Sequence, residues 1–85
     1  MENYNNIDER SYANFYYLDD KLHRIAGPAA EWADGEKEWY QNGLLHRIDG
    51  PAYEGANGYK EWWVEGKKME SQEEFERLIK LKLFW

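Results

Sequence analysis

The sequence predicts a mainly β domain: a single antiparallel β-meander of tandem 23-residue hairpin repeats, with a C-terminal α-helix capping one face. Three observations carry that expectation. Residues Tyr16 to Glu38 and Trp39 to Glu61 align without a gap at a shift of 23 residues, and Trp62 to Glu70 begins a third copy before the pattern stops. A fixed short period marks a stacked array, in which each unit buries its apolar surface against its neighbours. Asp34-Gly35, Asn42-Gly43 and Asn57-Gly58 are hairpin dipeptides, because a type I′ turn needs positive φ at both central residues. After Glu70 the periodicity changes to that of an amphipathic helix.

Taken in order, residues 1–11 form a polar lead-in or a poor edge strand. Residues 12–70 carry the repeats, with strands expected over 12–18, 21–25, 29–33, 36–41, 44–48, 52–56 and 59–65. The first strand is rich in aromatics, which suits a pleated surface. Asp19-Asp20 stands where later units carry Asn42-Gly43 and Glu65-Gly66, and aspartate tolerates the left-handed backbone of a tight turn. Gly27-Pro28 and Gly50-Pro51 mark wider corners, since proline has no N–H to give a ladder. Residues 71–85 belong to the same domain. Ser71 followed by Glu74 fits a capping box, Glu73 and Glu74 suit the positive helix end, and Phe75, Leu78 and Ile79 form one stripe, giving a helix over 72–82. That helix is expected to lie across a tryptophan face, with Leu81, Leu83, Phe84 and Trp85 thickening its end.

Composition limits the function classes. The chain of 85 residues holds one small domain, and five Trp, seven Tyr and three Phe supply its burial. It has no cysteine, which excludes disulfide and thiolate metal sites and fits a reducing compartment. The first residues lack the basic and apolar regions of a signal peptide, and no apolar run approaches the roughly 20 residues of a membrane span. The expected location is the cytoplasm. A net charge of −6 argues against nucleic-acid binding and for a partner with a basic surface.

Two-residue turns set a register, and register sets the faces. Asp34-Gly35 is expected to place Glu31 opposite Glu38, Asn42-Gly43 to place Tyr40 opposite Leu45 and Glu38 opposite Arg47, and Asn57-Gly58 to place Tyr53 opposite Trp62 and Glu54 opposite Glu61. One face then carries Trp32, Trp39, His46, Tyr53, Trp62 and Val64. The other carries Glu31, Glu36, Glu38, Arg47, Glu54, Glu61 and Glu65, with Tyr17, Tyr40 and Trp63. On that acidic face Arg47 neutralises Glu31 and Glu38, whereas Glu54, Glu61 and Glu70 fall side by side with no arginine. Solvation with Lys67 or Lys68 reaching in is the first account of that row, a basic partner is the second, and a divalent-metal site is the third and weakest, since carboxylates on a flat sheet do not easily wrap a hard cation. The expected partner-binding residues are Glu31, Glu38, Tyr40, Glu54, Glu61, Trp63 and Glu70. His23 and His46 read as structural residues beside Tyr16 and Trp39, because they do not converge as a metal pair and no activated nucleophile accompanies them. No catalytic residue, cofactor or metal site is expected, and the chain reads as non-enzymatic.

Trp39-Tyr40-Gln41-Asn42-Gly43-Leu44-Leu45-His46-Arg47-Ile48-Asp49-Gly50-Pro51-Ala52 resembles a MORN-repeat variant met in phage, bacterial and giant-virus proteins. The resemblance covers about residues 16–75; the first copy departs from it at Tyr16, Tyr17, Asp19-Asp20 and Ala26. It implies tandem hairpins in an elongated twisted sheet that serves as a docking surface, with no catalytic residues. By resemblance the setting is a small phage or prokaryotic protein; for a phage-encoded one the expected role is inhibitor of a host defence complex in the host cytoplasm, with the acidic-aromatic face read above as its docking surface. The alternative expectation is a scaffold that self-assembles through its sheet edges.

Overall fold

Three pairs of adjacent residues with positive φ set the rhythm of the chain: Asp19 and Asp20 at 50° and 65°, Asn42 and Gly43 at 53° and 80°, Glu65 and Gly66 at 51° and 80°. In a computed structural model, which describes residues 3–8 and 13–83, each pair closes a two-residue hairpin of the expected type. The elements are β1 (Asn3–Asp8), β2 (Ala13–Leu18), β3 (Lys21–Leu22), β4 (Ala30–Glu31), β5 (Lys37–Glu38), β6 (Tyr40–Gln41), β7 (Leu44–Leu45), β8 (Tyr53–Glu54), β9 (Lys60–Glu61), β10 (Trp63–Val64), β11 (Lys67–Lys68) and α1 (Gln72–Leu83). The chain is mainly β with one C-terminal helix. Of the polar lead-in, Asn3–Asp8 forms an edge strand on β2; the remaining lead-in residues, with Tyr12, Phe84 and Trp85, lie outside the described residues.

The strands do not form one continuous meander. The long sheet runs β1-β2-β4-β5-β8-β9, with β3 also on β2, while β6-β7 and β10-β11 are separate two-stranded sheets. The segments expected at 36–41 and 59–65 each break at a tryptophan. Trp39 donates its N–H to Ala52 at 2.8 Å and accepts from His46 N–H at 3.0 Å, so one residue bonds toward β8 on one side and toward β7 on the other. The chain crosses there from the long sheet to a short hairpin.

The same bonds recur one unit later. Ala29 N–H to Glu38 O (2.8 Å) is matched by Ala52 N–H to Glu61 O (2.8 Å), Gly43 N–H to Leu22 O (2.8 Å) by Gly66 N–H to Leu45 O (2.9 Å), and Arg24 N–H to Tyr40 O (3.1 Å) by Arg47 N–H to Trp63 O (3.1 Å). The histidines belong to this set. His23 Nδ1 accepts the Asn42 N–H at 3.0 Å, and His46 Nδ1 accepts the Glu65 N–H at 2.9 Å, each tying its unit to the turn of the next.

Two other turns overturn the expected register. Trp32 N–H bonds Glu36 O (2.9 Å) and Gly35 N–H bonds Trp32 O (3.0 Å), so Ala33-Asp34-Gly35 is a three-residue loop whose single positive φ, 100°, falls on Gly35. Gly55, Gly58 and Tyr59 repeat the arrangement around Asn57. In both loops the carboxyl or amide oxygen at the second position captures a backbone N–H two residues on: Asp34 that of Glu36, Asn57 that of Tyr59. The extra residue pairs Ala30 with Glu38 and Glu31 with Lys37, then Tyr53 with Glu61 and Glu54 with Lys60.

The buried centre consists of Ala13, Ala29, Ala30, Ala52, Val64 and Phe75, with His23. The expected face of Trp32, Trp39 and Trp62 is not a buried floor: all three are half-buried. Small side chains sit at the centre, and the aromatic rings lie over them. The body measures 41 × 31 × 17 Å. Helix α1 starts where expected, with Ser71 Oγ accepting the Glu74 N–H at 3.1 Å. It does not run across a tryptophan layer. It packs on the last unit through Phe75, whose ring centroid is 6.5 Å from that of Trp62. Phe75 stands 23 positions after Ala52, so the helix begins where a further unit would place its next alanine. Among the described residues no helix is long and apolar enough to cross a membrane.

Candidate interaction surface

Because a one-residue slip turns every side chain over, the three-residue loops redistribute the glutamates. Phe15, Ala30, Glu38, Tyr53 and Glu61 are successive partners across the long sheet and share one face. Asn14, Glu31, Lys37, Glu54 and Lys60 share the other. The expected separation of tryptophans from glutamates is therefore wrong. Glu38 lies on the same face as Trp32 and accepts its indole N–H at 3.0 Å.

On the first face, carboxylates are held by aromatic donors. Glu38 accepts from Trp32 Nε1 and from Tyr40 OH (3.1 Å). One unit on, Glu61 accepts from Trp63 Nε1 (3.0 Å) and Tyr59 OH (2.8 Å), and Lys68 Nζ reaches it at 3.2 Å. Glu36 accepts from Tyr53 OH. Phe15 meets Trp32 edge-on at 5.2 Å and braces that donating ring, and the two donors Tyr53 and Tyr59 meet at 6.1 Å. These contacts move the titrations. The Trp63 indole, then Tyr59 and Lys68, hold the Glu61 carboxyl below its ordinary pKa against the opposing effect of burial. Burial first, then the Glu38 charge and hydrogen bond, push Tyr40 up to about 12. The hydrogen bond to Glu36 is the main cause that pushes Tyr53 to about 12.

On the second face, the carboxylates are held by arginines. Arg24 reaches Glu31 at 3.3 Å and Pro28 O at 3.1 Å, with its guanidinium 4.0 Å from the Tyr16 ring centroid; Tyr16 OH also donates to Glu31. Arg47 repeats this with Glu54 (3.2 Å), Pro51 O (3.0 Å) and the Trp39 ring (3.9 Å), and adds Asp49 at 2.8 Å. Arg47 thus pairs with Glu54, not with Glu38 as its expected cross-strand position implied.

The seven residues expected to bind a partner do not form one surface. Glu38, Tyr40, Glu61 and Trp63 are brought together on the aromatic-acidic face. Glu31 and Glu54 lie on the opposite face beneath arginines, and Glu70 is exposed just before α1. The row Glu54-Glu61-Glu70 does not exist: Glu54 and Glu61 point to opposite sides, and Lys68, rather than Lys67, neutralises Glu61. Sequence reasoning missed Tyr59 and Tyr53 as carboxylate partners. For Tyr59 the signal was the Asx-type loop at Asn57, which lengthens the turn and brings Tyr59 beside Glu61.

Comparison with known protein families, with curated proteins and with solved structures gives no match to this chain.

Proposed function

We propose that the protein is a non-enzymatic, MORN-like interaction module that docks a basic protein segment on the face carrying Glu38, Tyr40, Glu61 and Trp63. One observation carries this reading: two carboxylates, equivalent in successive units, are each fixed by an indole and a phenol. Fixed carboxylates beside half-buried rings offer a basic side chain both a charge partner and an aromatic surface at small entropic cost. By resemblance, the setting is a phage-encoded inhibitor acting on a host defence complex in the host cytoplasm.

The test is affinity purification of the tagged chain from its host cells, with Glu38→Lys plus Glu61→Lys compared with Glu73→Lys on the exposed start of α1. The proposal expects a basic partner retained by the wild type and the Glu73 variant, lost from the double variant and released by added salt. Retention of the same partner by the double variant, with circular dichroism unchanged, overturns it.

A second reading, self-assembly, draws support from β9, which among the described residues ends the long sheet on β8. Light scattering separates the two: a mass that rises with concentration favours assembly.

A further inference from the structure

Charge is divided unevenly along the chain. Residues 77–85 hold three of the eleven cationic side chains, Arg77, Lys80 and Lys82, and none of the seventeen acidic ones. The rest of the chain is therefore more acidic than the net charge of −6 conveys. Arg77, Lys80 and Leu81 stand at i, i+3 and i+4, so they share one side of α1. All three are exposed, Leu81 by 55%. The other side is packed: Phe75 is buried on Trp62, and Leu78 and Ile79 are half-buried. Among the described residues neither Arg77 nor Lys80 has an ion pair. Glu76, one turn before Lys80, accepts from Gln72 instead, at 3.3 Å. The outer side of the helix is thus an exposed leucine beside two cations.

The ring-bound carboxylates are the counterpart, and the repeat makes them unequal. Glu61 takes two aromatic donors and also Lys68, whose Nζ lies at 3.2 Å. The residue 23 positions before Lys68 is Leu45, so the unit of Glu38 brings no such lysine. Glu38 gives one oxygen to Trp32 and the other to Tyr40, both neutral donors. A carboxylate has about four acceptor positions, so capacity remains for a cation. Glu36 is close by: the Tyr53 hydroxyl donates to Glu36, and the charges of Glu36 and Glu38 both act on that hydroxyl. The rings that bond these carboxylates, Trp32, Tyr40 and Tyr53, are half-buried and leave apolar surface in solvent.

We propose that the outer side of α1 docks on this face of a second copy of the chain, Arg77 and Lys80 against Glu38 and Glu36, and Leu81 against the Trp32 and Tyr40 rings. That pairing rests on reading the face as a docking surface for basic segments, and it names the chain itself as an occupant. Charge complementarity selects the occupant, because one chain carries both surfaces and, among the described residues, does not pair them with each other. The two surfaces are unlike, so the contact runs head to tail.

The experiment is size-exclusion chromatography with light scattering of the full chain over a concentration series. The wild type is expected to gain mass as concentration rises, and to return to the monomer mass in about 1 M salt, where the screening length is about 3 Å. Arg77→Gln plus Lys80→Gln removes one surface and Glu36→Gln plus Glu38→Gln the other, so each variant alone should stay monomeric. Mixed in equal amounts, they should form a dimer and go no further, since each supplies the surface that the other lacks. Pairing through the β9 edge would instead persist in both variants and in salt. A wild type of constant mass, variants that associate as the wild type does, association that survives salt, or a mixture that stays monomeric overturns the proposal. The salt series uses the unaltered chain, so it decides even where a variant misfolds. A monomeric wild type that still retains a basic partner through Glu38 and Glu61 ends this proposal and leaves the docking face standing.

Discussion

Arg47 stands over Trp39, its guanidinium carbon 3.9 Å from the ring centroid, while the same group bonds Glu54, Asp49 and the Pro51 carbonyl. Stacking fixes the plane of the guanidinium, and the fixed plane fixes which carboxylates it meets. Lysine cannot reproduce this, because its ammonium is a point charge without a planar fork. Arg47→Lys should therefore lower unfolding stability by about 1–3 kcal/mol, the sum expected for a stacked cation and one charge-assisted bond. Arg24→Lys should cost less, since tyrosine replaces tryptophan under it and Ala26 replaces Asp49. Urea denaturation of both variants gives the comparison.

The histidines make a different prediction. His23 is buried and its Nδ1 is an acceptor for the Asn42 N–H. His23→Leu leaves that donor without a partner and should cost about 1–3 kcal/mol. His23→Asn places an oxygen near Nδ1 and should recover part of the loss. His46→Leu should cost less, because its bond to Glu65 lies in solvent. Thermal melts of the three variants test the order.

Acid should weaken the fold through Glu61. Its folded pKa is depressed, chiefly by the Trp63 indole, so its contribution is present above the unfolded value of about 4.3 and is lost as pH falls through the folded one. Trp63→Phe removes the leading cause, and the stability lost on acidification should shrink. At the alkaline end the sign reverses. Tyr40 and Tyr53 hold their protons to about 12, so their contribution is present below pH 10 and disappears between 10 and 12. Tyrosinate absorbance should show Tyr40 and Tyr53 titrating late, and Glu36→Gln should bring Tyr53 back down.

Glu65 sits at φ 51°, a conformation that costs a non-glycine residue roughly 1–2 kcal/mol. Asparagine occupies the equivalent position 42. Glu65→Asn should raise stability by up to about 1 kcal/mol, read as an upward shift in melting temperature.

Phe75 is the buried anchor of α1 on Trp62. Phe75→Ala should cost about 3–5 kcal/mol and release the helix, and Ser71→Ala about 0.5–2 kcal/mol through loss of the cap. Helical ellipticity should fall before the tryptophan signal does in the Phe75 variant.

These particulars also show what the sequence made legible. Asn42-Gly43, Glu65-Gly66 and even Asp19-Asp20 were readable as two-residue turns, because the 23-residue shift aligns them and both positions of each pair take positive φ. The helix start was readable from Ser71 and Glu74. Asp34-Gly35 and Asn57-Gly58 look alike as dipeptides yet close loops one residue longer, since there the Asp or Asn side chain takes a backbone N–H and leaves positive φ to the glycine alone. That single residue moved Glu38 and Glu61 to the aromatic side and left Glu31 and Glu54 with the arginines. Local dipeptide chemistry gives the turn's existence; its length depends on a side-chain bond that spacing does not reveal.

A slab 17 Å through leaves little distance between what touches its two sides. A partner docked on the ring-bound glutamates would therefore stand close to whatever meets the arginine side. A chain of this size can thus act as a thin spacer that dictates how near two larger bodies come.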